Sequence, residues 1–132
     1  LLFNNLEKYL SGKISPLQQD NSSSTYASKI KKYETKIIWS LSASEINQKI
    51  RAFYPYPSMW FLYEGSRFKI LKARISELKG SPGEVVDTPL TIACKNGSLD
   101  IIEIQPEGKK AMTIKQFILG KNSFTIGKNI NG

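Results

Sequence analysis

The 132-residue chain has no histidine, a single cysteine and only 11 acidic residues against 19 basic ones. The missing histidine removes the side chain that most often moves protons near neutral pH. A lone cysteine, Cys94, excludes an internal disulfide, and without histidine the ordinary donor set of a structural zinc site is absent as well. Cys94 sits between apolar residues in LTIAC, which reads as a buried, inert thiol and not a nucleophile. No apolar run approaches the roughly 20 residues that span a bilayer, and LLFNNL has neither the basic leader nor the apolar core of a signal peptide. A reducing, cytoplasmic setting with no membrane partner fits these absences.

What is present is positive charge and aromatic surface. Two tryptophans, six tyrosines and six phenylalanines are enough for the interior of one domain, and the length does not favour two. The net charge of +8 lies entirely from Tyr26 onward, because Glu7 and Asp20 cancel Lys8 and Lys13 before it. After Glu107 there is no acidic residue, whereas Lys109, Lys110, Lys115, Lys121 and Lys128 follow. Such an excess favours a polyanion, nucleic acid foremost, or the acidic face of a neighbouring domain.

Three unequal pieces follow one another. Residues 1–12, LLFNNLEKYLSG, carry Leu2, Leu6 and Tyr9 or Leu10 at helical spacing with Gly12 as a C-cap, and read as the last turns of a helix that belongs to something else. The abrupt start without methionine supports that expectation. Residues 13–25, KISPLQQDNSSST, form a linker, since nothing in them supplies a core. Residues 26–132 are the expected domain.

Within it, YASKIKKYETKIIW can form a short helix presenting Tyr26, Ile30, Tyr33 and Ile37, although Ile37 and Ile38 suggest an extended exit. Ser42 and Glu45 make a capping box with Leu41 placed to staple onto Ile46; Ile46, Ile50 and Phe53 form the apolar stripe, and Pro55 stops the helix. Arg51 lies off that stripe. In RAFYPYP, residues 51–57, Tyr54 and Tyr56 either pack the rim of the core or stack on unpaired bases.

The remainder alternates like strands. RFKILKARI changes phase at Ile70 and Leu71, as a β-bulge would, which puts Arg67, Lys69, Lys72 and Arg74 on one face. SLDIIEIQP slips in the same way between Ile101 and Ile102. Short strands, glycine turns such as KNG at 95–97, and repeated bulges point to a mainly β fold with short helices, closed or nearly closed as a small antiparallel barrel. MTIKQFIL reads as a short helix capped by Thr113 and ended by Gly120. QPEGKKAM, 105–112, joins a glycine to two lysines where a phosphate could approach, but lacks the spacing of a P-loop. Glu34, Glu64, Glu84, Glu103 and Glu107 show no spacing that pairs two carboxylates for acid/base work, so no catalytic residue is assigned.

WSLSA at 39–43, RAFYPYP at 51–57, EGSRFKILKA at 64–73, PGEV at 82–85 and QPEGKKAM at 105–112 together resemble the C-terminal domain of the methionyl-tRNA formyltransferase family, over Tyr26 to Leu119. Residues 1–25 resemble the end of that family's catalytic domain and the linker after it. The resemblance implies an OB-like barrel and a parent enzyme that moves a formyl group from 10-formyltetrahydrofolate to methionine on initiator tRNA. Its asparagine, histidine and aspartate would lie in an N-terminal Rossmann-like domain, so this piece would bind no cofactor and catalyse nothing alone. Arg51 matches the arginine of the family's R-A-F-x-P-x-P motif, and Gly108 and Lys109 match its glycine-lysine turn, followed by Lys110. Tyr54 stands where asparagine is usual, Tyr56 replaces tryptophan, and Ile38 replaces an aspartate.

The expected role is electrostatic docking of the tRNA backbone by Arg51, Arg67, Lys69, Lys72, Arg74, Gly108, Lys109 and Lys110, with base recognition left to the catalytic domain. Two alternatives stay open: an accessory module of another 10-formyltetrahydrofolate enzyme, acting on nucleotide sugars or hydrolysing folate, and a structural module between domains.

Overall fold

Local signals build the helices of the computed structural model, which describes residues 2–120 and 124–130. Lys121 of the basic tail and the two ends of the chain lie outside the described residues. Helix α1 spans Leu2–Leu10 and is followed by Gly12 at φ 71, while Phe3 and Leu10 are exposed. Helix α2 spans Ala43–Phe53 and starts at the expected capping box. The Ser42 N–H donates to Glu45 Oε2 at 2.9 Å and the Glu45 N–H donates to Ser42 Oγ at 3.3 Å, so two orphan donors of the first turn are satisfied. Ile46 and Ile50 are buried, and Leu41 and Phe53 pack half-buried against the same core.

Strand β1 (Met59–Tyr63) turns back through Glu64 and Gly65 into β2 (Ser66–Ser76). Short β3 (Val85–Asp87) and β4 (Thr91–Ala93) precede the long β5 (Ser98–Pro106), and β6 (Met112–Thr113) leads into helix α3 (Ile114–Leu119). All pairings are antiparallel, in the order β1-β2-β5-β4-β3, with β6 added along the second half of β5. Both expected phase slips occur, and they meet in one ladder. Ile70 pairs with Ile104 and Lys72 with Glu103, leaving Leu71 over; Ala73 then pairs with Ile101, leaving Ile102 over.

Phe61 and Phe68 stack with ring centroids 5.5 Å apart on the inner face. Phe117 of α3 meets Phe68 edge-on at 5.5 Å, and Phe124 closes the group at 5.6 Å from Phe68. Trp39, 6.0 Å from Phe61, links these rings to the residues around α2.

Two expectations are corrected. The fold is mixed α/β with an open sheet, and no closed OB-like barrel forms: β1 and β3 stay at opposite edges. Each edge is occupied by chain outside the named strands. The Ile37 N–H donates to the Trp60 carbonyl along β1, and beside β3 the Val85 N–H donates to Lys128 O while the Ile130 N–H donates to Gly83 O. With chain already bonded along part of each edge, and β3 and β4 only three residues each, closure has little to add. The segment around Tyr33 is likewise not the expected helix but extended chain with one 3₁₀ turn, Lys32–Thr35, and of the four spaced residues only Ile37 is buried.

The cap and the aromatic stack set the stability. Ser42→Ala is expected to lower the unfolding free energy by about 1 kcal/mol, and Phe61→Ala by about 3–5 kcal/mol, both read by urea denaturation. The Ser42 hydroxyl holds the Glu45 carboxyl below its ordinary value of 4.5. Because the folded-state value is depressed, this part of the cap is present above 4.5 and lost as pH falls through the lowered value. The Ser42→Ala penalty should therefore shrink in acid; a penalty independent of pH would contradict the assigned hydrogen bond.

Candidate nucleic-acid interface

The paired bulges decide which way the basic residues of β2 face. Before them Phe68 and Ile70 are buried and Arg67 and Lys69 half-exposed; after them Ala73 packs against the core and Lys72 and Arg74 are exposed. Without the slip the second pair would change faces.

Most of the expected contact residues line one of three depressions. Arg67, Lys69 and Gly108 line one of about 120 Å³ with Gln105, Pro106 and Glu107. Its wall is a tight turn in which the Lys109 N–H donates to Pro106 O at 3.1 Å, Gly108 takes φ 70, and Gln105 Nε2 donates to the Lys109 carbonyl at 3.1 Å. A side chain other than glycine would be strained at that φ. Lys109 and Lys110 are exposed on this turn. Arg51, from the end of α2, meets Lys72 across a second cleft of about 370 Å³ lined also by Tyr54, Leu71 and Glu103. Arg74 borders a third, larger groove of about 710 Å³ together with Asp100 and Lys115.

Not every cation is equally available. Arg67 is paired with Glu107 at 3.2 Å and lies 6.0 Å over the Trp60 ring, while Arg74 is paired with Asp100 at 2.6 Å. Arg51, Lys69, Lys72, Lys109 and Lys110 have no ion pair among the described residues. Lys128 is held by Glu64, whose hydrogen bond raises the lysine's pKa.

Pattern reading missed several participants. Lys36 also lies over the Trp60 ring, 5.9 Å from its centroid, and the Trp60 Nε1–H donates to the Lys32 carbonyl at 3.2 Å. A helix reading of that segment hid this contact. Asp100 and Glu107 were invisible as counter-ions because their partners lie 26 and 40 residues away in sequence. Tyr54 and Tyr56 do not pack the rim of the core, being 57% and 82% exposed.

The family model for the formyl transferase C-terminal domain matches residues 29–122. A methionyl-tRNA formyltransferase of Pelagibacter ubique (strain HTCC1062) is 42% identical over 120 residues, covering 90% of this chain and 39% of that protein. One from Streptococcus agalactiae serotype III (strain NEM316) is 37% identical over 133 residues, covering 98% of this chain and 41% of that protein. The chain thus spans about two fifths of the length of these curated relatives. In fold it is similar to a crystal structure of HypX from Aquifex aeolicus in complex with tetrahydrofolic acid, with a TM-score of 0.71 at 20% identity over 91% of this chain and 22% of that one.

Chemistry at Cys94 can be judged directly. The thiol is buried, and burial pushes its pKa up to about 12, which leaves little of the reactive thiolate at neutral pH. Among the described residues no group of three or more acidic or cysteine side chains could hold a metal ion. An aromatic disulfide reagent at pH 8 should label the native chain no faster than it unfolds and should label it fully in urea. Rapid labelling of the native chain would show the thiol to be accessible.

Proposed function

Since the chain belongs to the formyl transferase C-terminal domain family, we propose that it is the tRNA-docking accessory part of a methionyl-tRNA formyltransferase. That parent enzyme would transfer a formyl group from 10-formyltetrahydrofolate to the amino group of methionine carried by initiator tRNA. Residues 1–12 would end its catalytic domain, 13–25 would be the linker, and 26–132 the accessory domain, working in the cytoplasm. The relatives' names support this reading, as does the share of their length that the chain leaves unmatched.

The observation that carries the docking role is the cluster of uncompensated lysines about the Gly108 turn, where Lys69, Lys109 and Lys110 have no ion pair among the described residues. Gly108 lets the turn present a bare backbone, and the lysines neutralise phosphate and release its counterions. Arg51 and Lys72 extend the same positive surface across the next cleft. Arg67 and Arg74, held by carboxylates, contribute orientation more than net charge. The formyl transfer itself belongs to the catalytic domain; the chain's own part is to bind and orient.

Fluorescence anisotropy with initiator tRNA, elongator tRNA and a DNA duplex of equal length, at two salt concentrations, tests this. Binding should be similar for both tRNAs and weaken steeply with salt. Replacing Lys109 and Lys110 together by alanine should reduce the salt slope by up to about two units, whereas Arg74→Ala should change it less. No binding to any of the three at low salt would instead support a structural module between domains.

A further inference from the structure

Backbone docking leaves the aromatic corner after α2 unused. Tyr54 follows the last residue of α2 and lines the cleft of about 370 Å³ with Arg51, Leu71, Lys72 and Glu103. That volume is near the lower end of the range of about 300–1,000 Å³ for small-ligand sites, and so fits a single nucleotide and not a duplex.

The lining divides the work of holding one. Tyr54 supplies a ring on which a base can stack, Leu71 an apolar wall, and Arg51 and Lys72 positive charge for the flanking phosphates. Glu103 supplies something a phosphate-binding groove has no use for. It stands opposite Lys72 in the β2–β5 ladder and is half-buried, yet its carboxylate has no hydrogen bond or ion pair among the described residues. An ionised carboxylate only accepts hydrogen bonds, and its two oxygens can accept two parallel ones. Guanine offers such a pair at N1–H and the 2-amino group. Uracil offers one N–H between two carbonyls that a carboxylate would repel.

We propose that this cleft binds one unpaired nucleotide of RNA, with its base stacked on Tyr54 and guanine preferred through Glu103. The inference rests on the RNA-docking reading and takes up the stacking alternative that the sequence left open for Tyr54, adding to it a choice of base through Glu103.

The test uses fluorescein-labelled RNA hairpins with one bulged guanine, one bulged uracil or no bulge, titrated with the full chain. The bulged-guanine hairpin should bind at least about fivefold more tightly than the paired one, the lower end of what one stacked base contributes. Tyr54→Ala should abolish that difference while retaining affinity for the paired hairpin, which reports that the variant is folded, and Tyr54→Phe should keep it. Glu103→Gln should narrow the preference for guanine over uracil. Equal, salt-sensitive binding of all three hairpins by the unmodified chain would overturn the cleft and leave backbone docking standing. No binding to any hairpin at low salt would overturn docking and the cleft with it. Guanosine monophosphate that cancels the preference at concentrations as low as the hairpin's own would assign the cleft to free nucleotide and overturn the RNA source.

Discussion

The ladder between β2 and β5 is the constraint on which the other features depend. It runs from Phe68 opposite Pro106 to Ser76 opposite Ser98, and carries one extra residue on each strand near its middle. A strand has a side-chain period of two, so a single unmatched slip would send half of the apolar residues of β2 to solvent. Two slips facing each other keep the strands paired while both change phase. Phe68, Ile70 and Ala73 all reach the core as a result, and Arg67, Lys69, Lys72 and Arg74 stay outside it. The basic face is therefore a consequence of how the core is satisfied, because the same register that buries one set of residues displays the other.

Edge pairing explains why the sheet stops where it does. A barrel removes its edges by joining first strand to last; here Lys36 and Ile37 run along β1, and residues 127–130 along β3. With part of each edge already hydrogen-bonded to other chain, closure adds less and would have to bend strands three residues long. The aromatic group of Phe61, Phe68, Phe117 and Phe124 then fills the open side, with α3 brought over it by its own Thr113–Gln116 capping box.

Features written in a few adjacent residues were legible, and those that depend on distant meetings were not. The Ser42–Glu45 box, the Thr113 cap, the bulges at Leu71 and Ile102 and the glycine turns are local grammar, and they appear where residue type and spacing put them. Closure is a different kind of question, since nothing within β1 or β3 states that residues 37 and 128 will come to lie beside them. Tyr26, Ile30, Tyr33 and Ile37 show how spacing alone misleads: a helical stripe is stable when a core receives it, and only Ile37 finds one. Similarly, the cations of β2 could be named from alternation, whereas Asp100 and Glu107, which compensate two of them, could not.

That compensation shapes what the surface can do. An arginine already held by a carboxylate loses part of its attraction for phosphate, yet it is fixed in direction, and Arg67 is fixed twice, by Glu107 and by the Trp60 ring. The lysines of the Gly108 turn keep their full charge and their freedom, which suits long-range attraction more than a set geometry. In the proposed docking role, steering and orientation would thereby fall to different residues. Attraction of a polyanion by Lys69, Lys109 and Lys110 would fall off with screening over about 8–10 Å at ordinary ionic strength, and so would act mainly at encounter. Alignment must come from the contacts that survive at short range. In the proposed role, the paired arginines and the cleft lined by Arg51, Tyr54, Lys72 and Glu103 would supply them.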